Sequence, residues 1–290
     1  MSSAARGRSL SADWYPTTAE ACLAQLTQVE PAPGAPPGAF AAIVPHAGWR
    51  YSLPLWGPAL AALAAARPGA DLVVLFAGHT EKPDPPRLFV EGQLFTPLGP
   101  IQIAEKLSQD LAMALREPDL ETPEEHYEDY GVEVLLPAIR HHWPEAPLVL
   151  IGPPPTVQAI EIGKEVAKLA GVHRAKAPVF IGSTDLTHYG PDHGYRPRGA
   201  GAAAHAWVKR DNDGPLLAAA QKLDAAELIW VAERQRSACS AGAAAATIAA
   251  AKRLGAKSAA LTAHLTSHEI AGSRAEPQSF VSYAAIILGA

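Results

Sequence analysis

Short apolar runs alternate with amphipathic stretches along most of the chain. The apolar runs predict buried strands at 39–45, 71–77, 88–90, 147–151 and 178–182, and closing strands at 258–265 and 279–288. Helical composition or periodicity predicts helices at 19–29, 55–66, 101–115, 132–142, 157–169 and 237–254, with two or three more between 200 and 236. Strands that alternate with helices are typical of an α/β fold with a largely parallel central sheet flanked by helices.

Nothing in this pattern separates two domains. The segment 31–38, PAPGAPPG, is predicted to be a loop, because proline and glycine interrupt both helices and strands. The chain has 290 residues, of which 48% are hydrophobic, and this is enough for one sizeable core. We therefore expect a single domain over residues 1–290.

Composition and charge narrow the class of function. The formal net charge is -5 and no basic stripe occurs, so we expect no nucleic-acid partner. The only cysteines are Cys22 and Cys239, which favours a reducing compartment over a disulfide framework. No apolar stretch is long enough to span a bilayer, and the N-terminus lacks the apolar core of a secretory signal. We expect a cytoplasmic protein without a membrane partner; whether it is a homo-oligomer stays open.

Polar clusters follow three of the predicted strands. VPHAGWRYS contains His46, LFAGHT contains His79, and FIGSTDLTHYGPDHGY contains Asp185, His188 and His193. Ligands of open α/β sheets bind at the carboxyl ends of strands, so these side chains are candidates for one site. Imidazole is the commonest transition-metal ligand and also moves protons near neutral pH. Each histidine could instead be a hydrogen-bonded residue of a turn or of the core.

Cys239 lies in QRSACSAG, which predicts the start of a helix capped by Ser237. A helix N-terminus lowers the pKa of a thiol and favours the thiolate. A thiolate binds iron, copper or zinc, and it is also a nucleophile. The alternative is a small buried residue in an alanine-rich helix. HExxH, CxxC, GxSxG and phosphate-binding glycine loops are all absent from the sequence, so the chemistries of those motifs have no support.

The order of the motifs resembles the Memo family, which includes the B protein of the AmmeMemoRadiSam system. VPHAGWRYS, a strand ending in GH, GVEVLLPAI, STDLTHYG, a late cysteine and SFVSYAAIIL follow one another as in that family, and SADWYPTTAEACLAQL is similar to its N-terminus. Memo proteins are similar in fold to class III extradiol dioxygenases, which hold non-haem iron(II) with two histidines and a carboxylate. In Memo-like proteins a cysteine takes the place of the carboxylate. The resemblance thus implies a metal site of His46, His79 and Cys239.

The resemblance also implies a function. It points to a mononuclear, dioxygenase-like oxidoreductase that contains iron(II) or copper, with iron(II) the first choice, and acts on a small molecule such as a phenol. His188 would move protons and Asp185 would orient a neighbouring histidine. The side chains expected to line the substrate pocket are Arg50, Tyr51, Tyr130, Tyr189 and His193. A radical-SAM protein is the partner that the family suggests.

Two other hypotheses about the function stay open. The protein could be a non-catalytic adaptor that binds a ligand or a metal. It could also be a metal-independent enzyme in which Cys239 is the nucleophile and His188 or His46 the base.

The sequence departs from the family pattern around the expected pocket. AGHT replaces the usual Gly-Pro-Ser/Asn-His at His79, and Ser240 follows the cysteine where glycine is usual. Asp129, Tyr130 and Gly131 stand where Glu-His-Ser is usual. Tyr130 thus takes the place of a family histidine, and His126 could replace that histidine only if its loop bends back. These changes leave the metal site in place and affect the choice of substrate.

Overall fold

The computed structural model describes residues 5–290. Its strands are β1 (Ala5–Arg6), β2 (Ala41–Val44), β3 (Leu72–Phe76), β4 (Arg87–Phe89), β5 (Gln93–Thr96), β6 (Gly99–Gln102), β7 (Asp119–Glu121), β8 (Leu148–Gly152), β9 (Pro178–Ser183), β10 (His188–Tyr189), β11 (Ser258–Thr266) and β12 (Phe280–Gly289). Its α-helices are α1 (Ala19–Leu26), α2 (Trp49–Ala66), α3 (Glu105–Ala114), α4 (Tyr130–Glu133), α5 (Leu136–His142), α6 (Val157–Val172), α7 (Ala202–Trp207), α8 (Gly214–Gln221), α9 (Ala225–Gln235), α10 (Ala241–Arg253) and α11 (Ser267–Ile270).

A nine-stranded sheet forms the centre of the molecule, with the order β10-β12-β2-β9-β3-β8-β4-β7 and with β11 paired to β12. Strands β2, β9, β3 and β8 run parallel, whereas β12 and β4 are antiparallel to their neighbours β2 and β8. The predicted α/β fold with a largely parallel sheet is therefore confirmed, and it is consistent with an extradiol dioxygenase-like fold.

Helices bury both faces of the sheet. Alternate side chains of β3 enter opposite cores: Leu72, Val74 and Phe76 pack with α6, α9 and α10, whereas Val73 and Leu75 pack with α2 and α5. This explains why the central strands read as continuous apolar runs rather than as alternating patterns. The carboxyl ends of β2, β9 and β3 consequently meet at one edge, beneath the loops that carry His46, Asp185 and His79.

Helix α10 packs very closely on α6. A Cβ atom on Gly163 of α6 would lie 2.2 Å from the carbonyl oxygen of Ala246 in α10. Gly242, at the start of α10, is equally close to the carbonyl of Pro153. Glycine is required at both positions because the backbones leave no room for a side chain. This packing fixes the start of α10, and with it the segment that carries Cys239.

Several predicted boundaries were wrong. Helix α2 begins at Trp49 rather than 55 and contains two prolines, and the helix predicted at 132–142 is divided into α4 and α5. Residues 101–102, assigned to a helix, pair with β5 instead. Helix α10 begins at Ala241 with Ser240 as its N-cap, so Cys239 lies just before the helix and Ser237 is not its cap.

The described part of the chain contains no helix long and apolar enough to cross a membrane.

Candidate metal centre

Three segments that are far apart in sequence bring two imidazoles and a thiol together. His46 follows β2, His79 follows β3, and Cys239 precedes α10. Their ligand atoms all lie within 4.8 Å of one another, and the Nε2 atom of His46 is 3.2 Å from the Cys239 sulfur. The sequence expectation that these residues form a group that could hold a metal ion agrees with this geometry.

The imidazole of His46 is oriented by a neighbouring strand. Its Nδ1 atom lies 2.8 Å from the Ser183 hydroxyl at the end of β9. That hydroxyl donates its only hydrogen to the carbonyl of Gly131, so it can only accept from His46. Nδ1 therefore carries the hydrogen, and Nε2 faces Cys239. A metal ion would compete with a proton for this nitrogen.

A carboxylate orients His79 in the same way. The Asp129 carboxylate accepts the Nδ1–H group of His79 at 2.9 Å and its backbone N–H group at 2.6 Å. Burial alone would lower the pKa of His79, but the Asp129 carboxylate and the nearby Cys239 sulfur raise it to about 10. Its Nε2 atom is buried and has no hydrogen-bond partner among the described residues. An imidazole whose one nitrogen is held by a carboxylate, and whose other nitrogen forms no hydrogen bond within the protein, is the usual arrangement of a metal ligand.

Cys239 is held by the loop that follows β9. Its backbone N–H group donates to the Asp185 carbonyl at 3.2 Å, and its sulfur accepts the Asp185 N–H group at 3.2 Å. These bonds, rather than a position inside a helix, fix the thiol. Burial raises the pKa of the thiol, but the adjacent His46, His188 and His79 outweigh it and lower the pKa well below its usual value. The shift favours the thiolate, the form that binds metal.

This donor set fits a transition metal. Two imidazole nitrogens and one thiolate suit iron, copper or zinc better than hard cations, which prefer oxygen ligands. The unpartnered Nε2 atom of His79 points to the same conclusion, because a buried polar atom ordinarily finds a partner.

Asp185 and His188 lie beside the triad. The Asp185 side chain is 3% exposed and accepts the backbone N–H group of His46 at 2.8 Å. Its other oxygen is 3.9 Å from Nε2 of His188. Asp185 thus positions the main chain of His46 and faces His188, whose Nε2 atom is buried without a partner among the described residues.

Two cavities lie near the triad, and His188 lines both; of the three triad residues, Cys239 lines the second cavity and none lines the first. The first, of about 710 Å³, has four Trp and Tyr side chains in its wall; it is lined by Asp13, Trp14, Ala47, Gly48, Arg50, Tyr51, Tyr130, Asp185, His188, Val281 and Tyr283. The second, of about 660 Å³, reaches Cys239 and His193 and is more highly charged, with Lys82, Glu233 and Arg236 in its wall. We call them the aromatic cavity and the charged cavity.

A family model described as Memo-like protein matches residues 6–287 of this chain. This chain belongs to the Memo family. A MEMO1 family protein of Methanosarcina barkeri is 30% identical over 252 residues, which cover 85% of this chain and 85% of that protein. Another, of Methanosarcina acetivorans, is 31% identical over 254 residues, or 86% of this chain and 85% of that protein.

The fold is also similar to that of a crystal structure of an uncharacterized protein from Escherichia coli K12. The TM-score is 0.50, the identity is 15%, and the match covers 86% of this chain and 99% of that one. Similarity at this level of identity concerns the fold alone.

The structure decides which residue of this Memo protein stands in place of the family histidine. The Tyr130 ring lies 4.5 Å from the ring of His79 and 5.5 Å from that of His46, measured between centroids. His126 lies outside the triad and forms a hydrogen bond with the carbonyl of Pro123 in its own loop. Tyr130 therefore occupies the site, and the loop does not bring His126 back to it.

Most of the expected pocket residues line a cavity. Arg50, Tyr51 and Tyr130 line the aromatic cavity, and His193 lines the charged one. Tyr189 lines neither: it is 0% exposed, and its ring stacks on Phe280 in a separate apolar cluster. It was expected at the pocket because it follows His188, but in strand β10 adjacent side chains point to opposite sides.

Sequence reasoning missed three residues that shape the site. Ser183 stands in the polar cluster after the predicted strand at 178–182 but was given no role, and Asp129 was noted only as part of the segment that departs from the family pattern. Trp14 was noted only as part of the N-terminal motif, yet it lines the aromatic cavity. The signal for Asp129 was its position directly before Tyr130 and Gly131, in the segment that replaces the Glu-His-Ser of the family pattern.

Proposed function

We propose that this Memo protein binds one redox-active transition metal, iron(II) or copper, and acts as an oxidoreductase on a small phenolic molecule. The observation that carries the proposal is the convergence of two imidazoles and one cysteine sulfur, whose ligand atoms lie within 4.8 Å of one another, near a cavity with aromatic side chains in its wall. Three protein ligands leave coordination positions open, as catalytic non-haem iron sites require.

When bound, the metal would supply electron transfer and a binding position for an oxygen atom of the substrate. Imidazole and thiolate suit both iron and copper. The thiolate makes the site more electron-rich than the carboxylate of the extradiol dioxygenases, and it is itself open to oxidation. Ring cleavage of the usual kind is therefore not part of the proposal.

The aromatic cavity supports a planar substrate. Trp14, Tyr51 and Tyr130 offer faces and edges against which an aromatic ring can stack. Burial, with the charges of Cys239 and Asp185, raises the pKa of Tyr130, so its hydroxyl stays protonated and can donate to a substrate oxygen. Arg50 lies at the exposed rim, where it can meet a polar substituent.

His188 is the candidate proton carrier. Burial lowers its pKa, but Cys239 and Asp185 more than compensate, and the pKa is raised overall. Its unpartnered Nε2 atom and its place between the two cavities suit a group that takes a hydroxyl proton from the substrate and passes it towards solvent.

Oxygen consumption tests the proposal. Protein reconstituted with iron(II) or copper(I) without oxygen is mixed with oxygen and a panel of catechols and phenols in an oxygen electrode. We expect turnover with at least one compound. In His188→Gln the rate should fall by a factor of about 100 or more, because an acid–base group is lost. His126→Gln, a histidine outside the triad, is the matched control and should keep the full rate.

Tight metal binding without oxygen consumption across the panel would contradict the oxidoreductase proposal. It would favour instead a non-catalytic adaptor that binds a metal or a ligand.

A further inference from the structure

The N-terminal segment, defined here as residues 8–16, has a shape fixed by one arginine. The Arg8 guanidinium donates to the carbonyls of Leu10 and Ser11 at 2.7 Å each and to that of Tyr15 at 2.9 Å. It also lies 3.7 Å from the centroid of the Tyr15 ring. These contacts within the segment make it a compact loop rather than an extended tail.

A buried glutamate ties this loop to the body of the protein. Glu133 of α4 is 2% exposed. Its carboxylate accepts the backbone N–H groups of Ser9 and Leu10, at 3.0 Å each, as well as the hydroxyl of Ser9 and that of Tyr15 at 2.8 Å. A buried carboxylate is costly unless it is fully hydrogen-bonded, and here the N-terminal segment supplies these donors.

The same segment forms one wall of the aromatic cavity. The Trp14 ring lies 4.8 Å from the Tyr130 ring, measured between centroids. The backbone carbonyl of Trp14 accepts the backbone N–H group of Trp49 at 2.7 Å. Tyr130 in turn packs on the two histidines of the triad. Trp14 is thus the outer layer of a stack that runs from the segment to the metal ligands.

One helical turn links the anchor to the wall. Tyr130 and Glu133 are three residues apart in α4, a spacing that places side chains on neighbouring positions of a helix. The carboxylate that holds the segment and the tyrosine on which Trp14 packs therefore move together. Glu133 itself touches none of the triad residues by hydrogen bond in the described chain.

We propose that Glu133 is a positioning residue for the substrate: by holding residues 8–16 it fixes Trp14 over Tyr130 and completes the aromatic wall beside the metal triad. The substrate part of this proposal rests on the proposed function, since it takes the ligand to be a planar aromatic molecule. The placement of Trp14 by Glu133 does not depend on that function.

Glu133→Gln tests the proposal because it keeps the shape but replaces one acceptor oxygen by an NH₂ group that faces donors. The probe is 4-nitrocatechol, whose binding is followed by absorbance on the metal-loaded protein. We expect the metal content to be unchanged and the affinity for 4-nitrocatechol to fall by a factor of about ten or more. The Trp14 signal should shift in the ¹⁹F NMR spectrum of protein labelled with 5-fluorotryptophan. Trp14→Phe assigns that signal.

Glu124→Gln is the matched control, since Glu124 is exposed in the loop before α4. It should change neither the affinity nor the Trp14 signal. A merely structural role of Glu133 would lower the stability of the fold but leave both readouts unchanged in the folded protein, and that result would overturn the proposal.

Two further outcomes are informative. If Glu133→Gln does not fold, Ser9→Ala, which removes one hydroxyl donor to the carboxylate, should give smaller changes in the same direction; no change in the Trp14 signal would count against the proposal. If the wild-type protein does not bind 4-nitrocatechol, the proposed substrate class fails, and the Trp14 signal alone decides whether Glu133 positions the wall.

Discussion

The partners of their Nδ1 atoms orient the two imidazoles of the triad. Ser183 accepts from His46 and Asp129 accepts from His79, so both rings present Nε2 to the same point. The two partners differ in strength, because a carboxylate makes a charge-assisted hydrogen bond and a hydroxyl does not. The bond to Asp129 should therefore contribute more to metal binding.

Replacing Asp129 by asparagine tests this orientation. Asp129→Asn keeps the volume but removes the charge that holds the Nδ1–H form of His79, and we expect the metal affinity to fall by about 10- to 100-fold. Competition with a chromophoric chelator measures it. Asp110→Asn, which alters a similar pair with His173 at 2.8 Å away from the triad, is the control and should have no effect on metal affinity. Equal affinities in all three proteins would refute this role of Asp129.

The three residues of the triad could be named from the sequence, but the partners that orient them could not. His46 and His79 follow strands directly, and the family resemblance singled out Cys239. Ser183 is 137 residues from His46, and their contact exists only because β9 pairs with β2. Asp129 belongs to an acidic run that looks solvated, and its burial follows from tertiary packing. Contacts of this range leave no local pattern in a single sequence.

At the level of elements, the contact between α6 and α10 sets the position of Cys239. Gly163→Ala would press a methyl group against the Ala246 carbonyl, and we expect the free energy of unfolding to fall by about 1–3 kcal/mol. Gly171, in the same helix, has no atom within 4 Å of a built Cβ, so Gly171→Ala should raise stability by about 0.5–1 kcal/mol. Urea unfolding measures both. A neutral Gly163→Ala would mean that the helices are not in close contact.

The end of α5 should make stability depend on pH. Burial, with the neighbouring His141, lowers the pKa of His142 to about 4, against about 6.5 in an unfolded chain. Between these values the unfolded state binds a proton that the folded state does not, so stability is complete above pH 6.5 and is lost as the pH falls towards 4. The free energy of unfolding falls by about 3 kcal/mol at most over this range.

His142→Gln should therefore flatten this part of the stability profile. Urea unfolding of both proteins from pH 7 to pH 4.5 measures the difference. Profiles that run parallel over the whole range would show that His142 is not the source of the acid loss.

Two helix starts were predicted wrongly because tertiary hydrogen bonds compete with the helix at those positions. Ser237 resembles an N-cap, but the backbone N–H group of Ser240 donates to the Thr184 hydroxyl and that of Cys239 to the Asp185 carbonyl, which delays the helix. The start of the predicted helix at 101 pairs instead with β5, a strand that the sequence did not predict. Tertiary hydrogen bonds override local propensity in both cases.

For the whole molecule, the order of strands assembles the site. β9 lies between β2 and β3, so the loops that follow these three strands are neighbours although they are far apart in sequence. Apolar periodicity predicts the α/β class and the parallel centre, because both faces of the sheet are covered by helices. It carries no information on strand order, which depends on pairings between distant segments.

Metal binding should stabilise the folded chain, because the triad exists only when these segments are together. A metal at 100 times its dissociation constant adds about 2.7 kcal/mol to the free energy of unfolding. We expect iron(II), added without oxygen, to raise the melting temperature of the wild-type protein, and a chelator to reverse the rise. Cys239→Ala should show little change. An equal rise in both proteins would indicate binding outside the triad.

The most direct test of the metal centre is the metal content per chain, measured by mass spectrometry on protein purified without oxygen or chelators. We predict close to one iron or copper per chain in the wild-type protein, and a large loss of metal with the fold retained in His46→Ala, His79→Ala and Cys239→Ala. Full occupancy in all three variants, or no metal in the wild-type protein even after reconstitution with iron(II) and copper(I), would contradict the assignment of this site.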